Sequence, residues 1–362
     1  MKVIEYIKTN GLESLAEFGI SVKKYPEGLI VLNYDQIESP KTNPLVVECR
    51  SLIIDEDFNI ISRSFDRFFN YGEAEATFNP EGAVAYEKID GSLIKIYNWK
   101  GVWYVSTRGT AFAESKVNGW DITFKEMVFK ALNLTSEEGF QARCNDYLGK
   151  PSTYIFEVTG LENRVVTRYN GYTLWFLASR YNWCGDYKDV FLSMITEFGA
   201  KLPKKFKFSS VEGCIETAKH LTDLQEGYVM YENGIPVCKV KSPAYVAVHH
   251  IRGEGLNPKR IAELVVINEQ DEYLKYFPED SKHFTPHVEA LIKSLTEAQE
   301  VYNVASSLES QKDFALAVKD YPWFAFAFQA RKSGESNILK VFNSQETNYK
   351  VKFLLGLLNI KG

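Results

Sequence analysis

Residues 85–97 read AYEKIDGSLIKIY, with Lys88 two residues ahead of an Asp-Gly pair. The flanking stretches, AVAYEKI and SLIKIYNW, are rich in β-branched and aromatic residues and read as strands. A lysine beside Asp-Gly-Ser is ordinarily a surface charge at a hairpin. The sharper alternative is a nucleophile. At neutral pH an ammonium cannot attack, so that role requires burial or neighbouring cations to favour the free amine. VCKVKSP, further along, sets Lys239 and Lys241 at strand spacing, on one face. If that face meets Lys88, three ammonium groups crowd together, the pKa of Lys88 is expected to fall, and the other two hold an anion such as a phosphate. Glu157 in IFEVTG and Glu226 in QEGYVMY lie on neighbouring strands, suited to a ribose or a metal ion.

Taken together, KIDGS, TRG, FEVTG, EGYVMY and KVKS occur in one order along the chain. In that order they resemble the covalent nucleotidyltransferases, which include ATP-dependent ligases and capping enzymes. ECRSLIID, FDRFFN, ENRVV and YVAVHH extend the similarity to one branch, the T-even bacteriophage RNA ligases that repair broken tRNA. The resemblance spans roughly residues 30–280. It implies an α+β fold: a nucleotidyltransferase (ATP-grasp-like ligase) domain of antiparallel sheets with flanking helices, followed by an all-helical C-terminal domain.

The same resemblance implies ATP and Mg²⁺ as cofactors, with Mn²⁺ able to substitute. It implies a covalent lysine-AMP on Lys88, transfer of AMP to an RNA 5′-phosphate, and sealing by a 3′-hydroxyl. Catalysis would rest on Lys88, Lys239, Lys241 and Glu226. Nucleotide contacts would come from Tyr34, Arg50, Arg67, Lys88, Asp90, Arg108, Glu157, Glu226, Lys239 and Lys241. Asp90 and Ser92 would shape the turn and bond the nucleotide or Lys88. Arg67 and Arg108 stand where the branch has lysines, which keeps the charge but changes its geometry, and Tyr34 aligns by approximate spacing. Asp271 and Glu272 in NEQDEYLK stand where the branch has an acidic pair associated with a divalent ion; a solvated helix face is the plainer reading. The implied partners are single-stranded RNA ends, including a nicked tRNA anticodon loop, and the implied state is a monomer.

Composition is that of an ordinary globular protein, with 45% hydrophobic and 25% charged residues among 362. That length predicts two domains. Short strand-like segments dominate up to about residue 241, with helices near 188–199 and 210–219 and an Asn-Gly hairpin at 232–234. Apolar residues then recur at helical spacing, so the domains are placed at 1–242 and 243–362. No apolar run is long enough to span a bilayer and no secretory signal is recognised, so a cytoplasmic protein is expected, in host cytoplasm if phage-encoded. Five scattered cysteines suggest neither disulfides nor a zinc site. A net charge of −5 argues against a uniformly basic nucleic-acid surface. KLPKKFKF is the one local basic stretch; a solvated loop or edge strand is its plainer reading and RNA contact the alternative. YPWFAFAF reads as helical core rather than a stacking platform, and the pairs His249/His250 and His283/His287 as structural.

Two rival functions stay open on sequence alone. DNA ligases and capping enzymes share the lysine chemistry but usually continue into a small β-barrel where this chain turns helical. A catalytically silent RNA-binding relative would keep the fold and form no covalent adduct.

Overall fold

A computed structural model describes residues 1–118, 120–253 and 256–360. The chain divides into two compact units, Met1–His250 and Ile251–Gly362. The helix Pro243–Arg252 begins where the sequence period changes and runs through that division.

Three sheets build the first unit. Strands β1 (Ile20–Lys24), β2 (Leu29–Tyr34), β3 (Leu52–Asp55) and β4 (Ile60–Ser62) lie in sequence order. Strands β5 (Phe69–Asn70) and β6 (Ala83–Glu87) belong to a five-stranded sheet with β11 (Lys205–Phe206), β12 (Gly227–Glu232) and β13 (Ile235–Lys241), in the order β11-β6-β12-β13-β5. Strands β7 (Ser92–Trp99), β8 (Val102–Ser106), β9 (Ser152–Thr159) and β10 (Thr173–Tyr181) form the third sheet, ordered β10-β9-β7-β8. Every strand pair is antiparallel except β13 with β5. The β12–β13 hairpin turns through Asn233 and Gly234, both at positive φ, which matches the sense of twist a two-residue hairpin needs.

Helices cover one face of each sheet. α1 (Lys2–Asn10) and α2 (Pro44–Glu48) close the first, burying Val3, Ile7 and Val46 against Ile30, Leu32 and Ile54. α3 (Phe124–Ala131), α4 (Glu137–Tyr147) and α5 (Leu192–Phe198) cover the third, where Met127, Phe140 and Phe198 meet Ile94, Phe156 and Leu174. α6 (Val211–Lys219) seats Cys214 and Ala218 on the five-stranded sheet. The sequence reading placed α5 and α6 and did not register α1 to α4. For α3 a signal was present: Thr123 accepts from the Glu126 N–H while the Glu126 carboxylate accepts from the Thr123 N–H, a reciprocal cap legible as T-F-K-E.

The second unit is helical: α8 (Pro258–Val266), α9 (Gln270–Tyr276), α10 (Ser281–Ala305), α11 (Gln311–Val318), α12 (Phe324–Ser333), α13 (Ile338–Asn343) and α14 (Thr347–Leu357), preceded by α7 (Pro243–Arg252). Trp323 and Phe326 of YPWFAFAF are buried, and the Trp323 indole donates to Glu297, so this stretch is core. No helix among the described residues is long and apolar enough to cross a membrane. All five cysteines are free, four of them buried.

Candidate active site

Residues 88–91 carry the chain out of the five-stranded sheet at β6 and into the third sheet at β7. The crossing places Lys88 where both sheets can supply side chains: Glu226, Lys239 and Lys241 lie at or on β12 and β13, and Glu157 on β9. Two glycines make the approach possible. A Cβ on Gly91 would stand 2.4 Å from the Val158 carbonyl oxygen, and one on Gly227 2.1 Å from that of Val240. The Lys88 N–H donates to the Gly227 carbonyl at 2.9 Å, tying the Lys88 backbone to the residue after Glu226.

Glu226, 4% exposed, sits between two ammonium groups: Oε2 is 2.7 Å from Lys88 Nζ and Oε1 is 3.0 Å from Lys241 Nζ. Burial pushes the Glu226 carboxyl up, and the two lysines outweigh it, leaving its pKa below the usual value. The expectation that crowded ammonium groups lower the pKa of Lys88 is corrected by this geometry. Burial does act downward and is the largest single influence, but Glu226 and then Glu157 more than offset it, and Lys88 ends above its ordinary value. Lys239 is depressed instead, brought to about 7 by burial, then Arg50, Lys88 and Lys241. Its ammonium lies 4.9 Å over the Phe68 ring and has no carboxylate in contact among the described residues. Glu157 is raised to about 7, by burial first, with Glu226 adding and Lys88 and Arg50 opposing.

A guanidinium group extends the cationic wall. Arg50 follows α2 and lies over Phe68 at 5.3 Å and Phe65 at 6.0 Å. Arg67 is anchored by its backbone N–H to the Val47 carbonyl, and its guanidinium covers the Tyr34 ring at 4.3 Å, leaving Nη1 buried without an acceptor. Arg108 lies 4.7 Å from the same ring and donates to Asn33 Oδ1 and the Tyr34 carbonyl. Burial, then Arg50 and Arg67, pull the Arg108 pKa down despite Tyr34 and Asp35. The FDRFFN segment is held by Asp66, which accepts from Arg63 and from Arg180, whose side chain is buried. These contacts hold the guanidinium planes against aromatic rings, an arrangement chemically suited to anionic oxygens.

Asp90 uses its carboxylate internally. Oδ2 accepts from the Val166 and Thr167 N–H groups at 2.8 and 2.7 Å, and Oδ1 from the Tyr245 hydroxyl at 2.6 Å. Ser92 donates to Asn163 Oδ1, and Asn163 donates to the Val158 carbonyl. The Asp-Gly-Ser turn is therefore clamped by the ENRVV loop and by α7. Asp271 and Glu272 lie exposed in the first turn of α9, in the second unit, where they complement the helix dipole. No group of three His, Cys, Asp or Glu that could hold a metal occurs among the described residues, around that pair or either histidine pair.

A profile of the RNA ligase family matches residues 48–245, which contains Arg50, Arg67, Lys88, Asp90, Arg108, Glu157, Glu226, Lys239 and Lys241, while Tyr34, Asp271 and Glu272 lie outside it. The chain belongs to the T4-type RNA ligase family. This RNA ligase family member is 38% identical over 375 residues to a protein of Autographa californica nuclear polyhedrosis virus described as a bifunctional polynucleotide kinase/RNA ligase, covering 99% of the chain and 53% of the viral protein. The chain thus spans about half the length of that relative. It is 22% identical to an RNA ligase of Rhodothermus phage RM378, covering 76% of the chain and 80% of the phage protein. Among solved structures, an archaeal ATP-dependent RNA ligase superposes with a TM-score of 0.47 at 14% identity, covering 74% of this chain and 68% of that one.

One residue of the family segment escaped the sequence reading. Lys95 is fully buried, and Nζ donates to the Ser51 carbonyl. Ser51 follows Arg50 at φ 59, and its hydroxyl donates to the Thr107 carbonyl, next to Arg108. Burial holds the Lys95 pKa well below the usual lysine value. The amine holds the Ser51 backbone, and the Ser51 hydroxyl ties that segment, which presents Arg50, to the one that presents Arg108. The visible signal was a lysine inside SLIKIYNW, where strand periodicity alone gives no reason to bury it.

Proposed function

We propose that the chain is an ATP-dependent RNA ligase that joins 5′-phosphate and 3′-hydroxyl RNA ends. The observation that carries the proposal is the Lys88–Glu226–Lys241 arrangement beside Lys239 and the Arg50, Arg67 and Arg108 guanidiniums. In the first step Lys88 Nζ attacks the α-phosphorus of ATP. An N–P bond forms, the bond to the bridging oxygen breaks, and pyrophosphate leaves. Because Lys88 rests as an ammonium, Glu226, the acceptor in contact at 2.7 Å, first takes one Nζ proton so that the free amine can attack, and a second Nζ proton passes to solvent as the N–P bond forms. Lys239 and Lys241 neutralise charge on the transferring phosphoryl group, and Arg50, Arg67 and Arg108 orient the outer phosphates, with Tyr34 holding two of these guanidiniums in plane. AMP then passes to the RNA 5′-phosphate, freeing Lys88, and the 3′-hydroxyl displaces AMP to complete the phosphodiester.

Mg²⁺ usually takes only one or two carboxylates and completes its shell with water and substrate phosphates. The donor set fits: the Glu157 carboxylate makes no hydrogen bond or ion pair among the described residues, and Glu226 is close enough to raise its pKa. When bound, the ion, or Mn²⁺ in its place, supplies further charge neutralisation at the triphosphate. Asp90 serves as a positioning residue that fixes the turn carrying Lys88. Adenylyl transfer resides in residues 1–242, with 243–362 as a separate helical domain, and the protein acts as a monomer in host cytoplasm. The names of the viral and phage relatives support a viral RNA-repair setting, for which a nicked tRNA anticodon loop is the proposed substrate. The test is joining of single-stranded RNA ends by the purified chain with ATP and magnesium. Sealing of nicked duplex DNA with no joining of RNA would overturn it.

A further inference from the structure

KLPKKFKF has no part in the chemistry above, yet it lies against the nucleophile's own strand. β11 is the edge of the five-stranded sheet and, among the described residues, pairs only with β6, with Lys205 opposite Tyr86 and Phe206 opposite Ala85. Strand alternation then separates the faces. Phe206 and Phe208 turn into the core, each about edge-on to Tyr228 at 5.2 and 5.1 Å, alongside the buried Ala85. Lys205 and Lys207 take the opposite face. That is the face of the phosphate site, because one cross-strand row runs Lys205, Tyr86, Val229, Lys239. Three strand spacings of about 4.8 Å put Lys205 roughly 14 Å from Lys239, along a half-buried floor. Lys205 and Lys207 are exposed, and neither makes an ion pair among the described residues. In a chain of net charge −5, two unneutralised cations aligned with the nucleophile form a local anion track.

We propose that Lys205 and Lys207 bind backbone phosphates of the single-stranded RNA whose end is joined at Lys88. The inference rests on the ligase reading and says where the strand leaves the site: over the β11 edge. Lysine suits this contact because phosphate neutralisation holds the strand without reading its sequence.

The experiment uses the full chain and the double variant Lys205→Gln/Lys207→Gln. Binding of a fluorescent 5′-phosphorylated single-stranded RNA is measured from low to moderate salt, and lysine adenylylation is measured with ATP and magnesium but no RNA. Each phosphate contact on a single strand contributes about 0.7 to the slope of log affinity against log salt, so losing two contacts should make the slope shallower by about 1.4. Weaker RNA binding with that shallower slope and an unchanged adenylylation rate supports the proposal. Unchanged affinity, weaker binding with an unchanged slope, or a matching loss of adenylylation overturns it, as does a variant that loses binding to an acidic polypeptide but not to RNA. If the unaltered chain forms no lysine adduct, the ligase reading itself has failed, a result distinct from these.

Discussion

Lys239 offers the sharpest quantitative test of the site's electrostatics. With its pKa at about 7, the group is about half charged at pH 7 and about one-tenth charged at pH 8 in the unliganded protein. A bound triphosphate favours the ammonium, so binding at pH 8 must draw about 0.9 proton onto this side chain. The linked affinity falls toward a limit of about tenfold per pH unit above 7, or about 1.4 kcal/mol. The assay is calorimetric titration with an ATP analogue carrying a methylene bridge between the α- and β-phosphates, which Lys88 cannot cleave. Titrations in two buffers of different ionisation heat give the proton count, and omitting the divalent ion keeps Glu157, also near 7, from releasing a proton in the opposite sense. Lys239→Gln should bind more weakly at pH 7 and lose the uptake. Lys239→Arg should keep the charge at every pH tested and flatten the profile. Uptake that survives in Lys239→Gln, or that is absent from the unaltered chain at pH 8, would refute the reasoning.

Gly91→Ala places a methyl 2.4 Å from the Val158 carbonyl, where backbone must move; the thermal midpoint should fall by the equivalent of about 1–3 kcal/mol and adenylylation should be lost, and an unshifted melt would contradict the close approach. Lys95→Met tests the buried amine. The folded-state pKa of Lys95 is depressed, so the folded chain binds fewer protons than the unfolded one below pH 10.5, and its stability rises as pH climbs toward that value. The variant should show a flatter rise in urea melts between about pH 8 and 10, and an unchanged slope would show that Lys95 is not held by burial.

The candidate residues were legible because short motifs occur in one fixed order, and the strand period of two relates the lysine pair. Lys239 and Lys241 share a face for that reason, with Cys238 and Val240 turned to the core. Their charge states were not legible. Glu226 is 138 residues from Lys88, and which lysine it neutralises depends on β12 lying between β6 and β13, a fact of sheet order. Crowding of cations was foreseen but assigned to the wrong lysine, since only the fold shows that Glu226 reaches Lys88 and Lys241 and leaves Lys239 beside Phe68. Lys95 was missed for a related reason. β7 has cores on both faces, with Ile94 and Ile96 in one and Tyr97 and Trp99 in another, so alternation fails as a guide to burial there. The long helix α10 was plain in the sequence, whereas α2 is short enough that its Asn43 cap and leading proline were the main cues.

Mass spectrometry of the chain after incubation with ATP and magnesium tests the central claim most directly. One AMP-sized addition on Lys88, absent from Lys88→Ala, is the predicted result. An adduct on another lysine, or none on a chain that binds ATP, would contradict it.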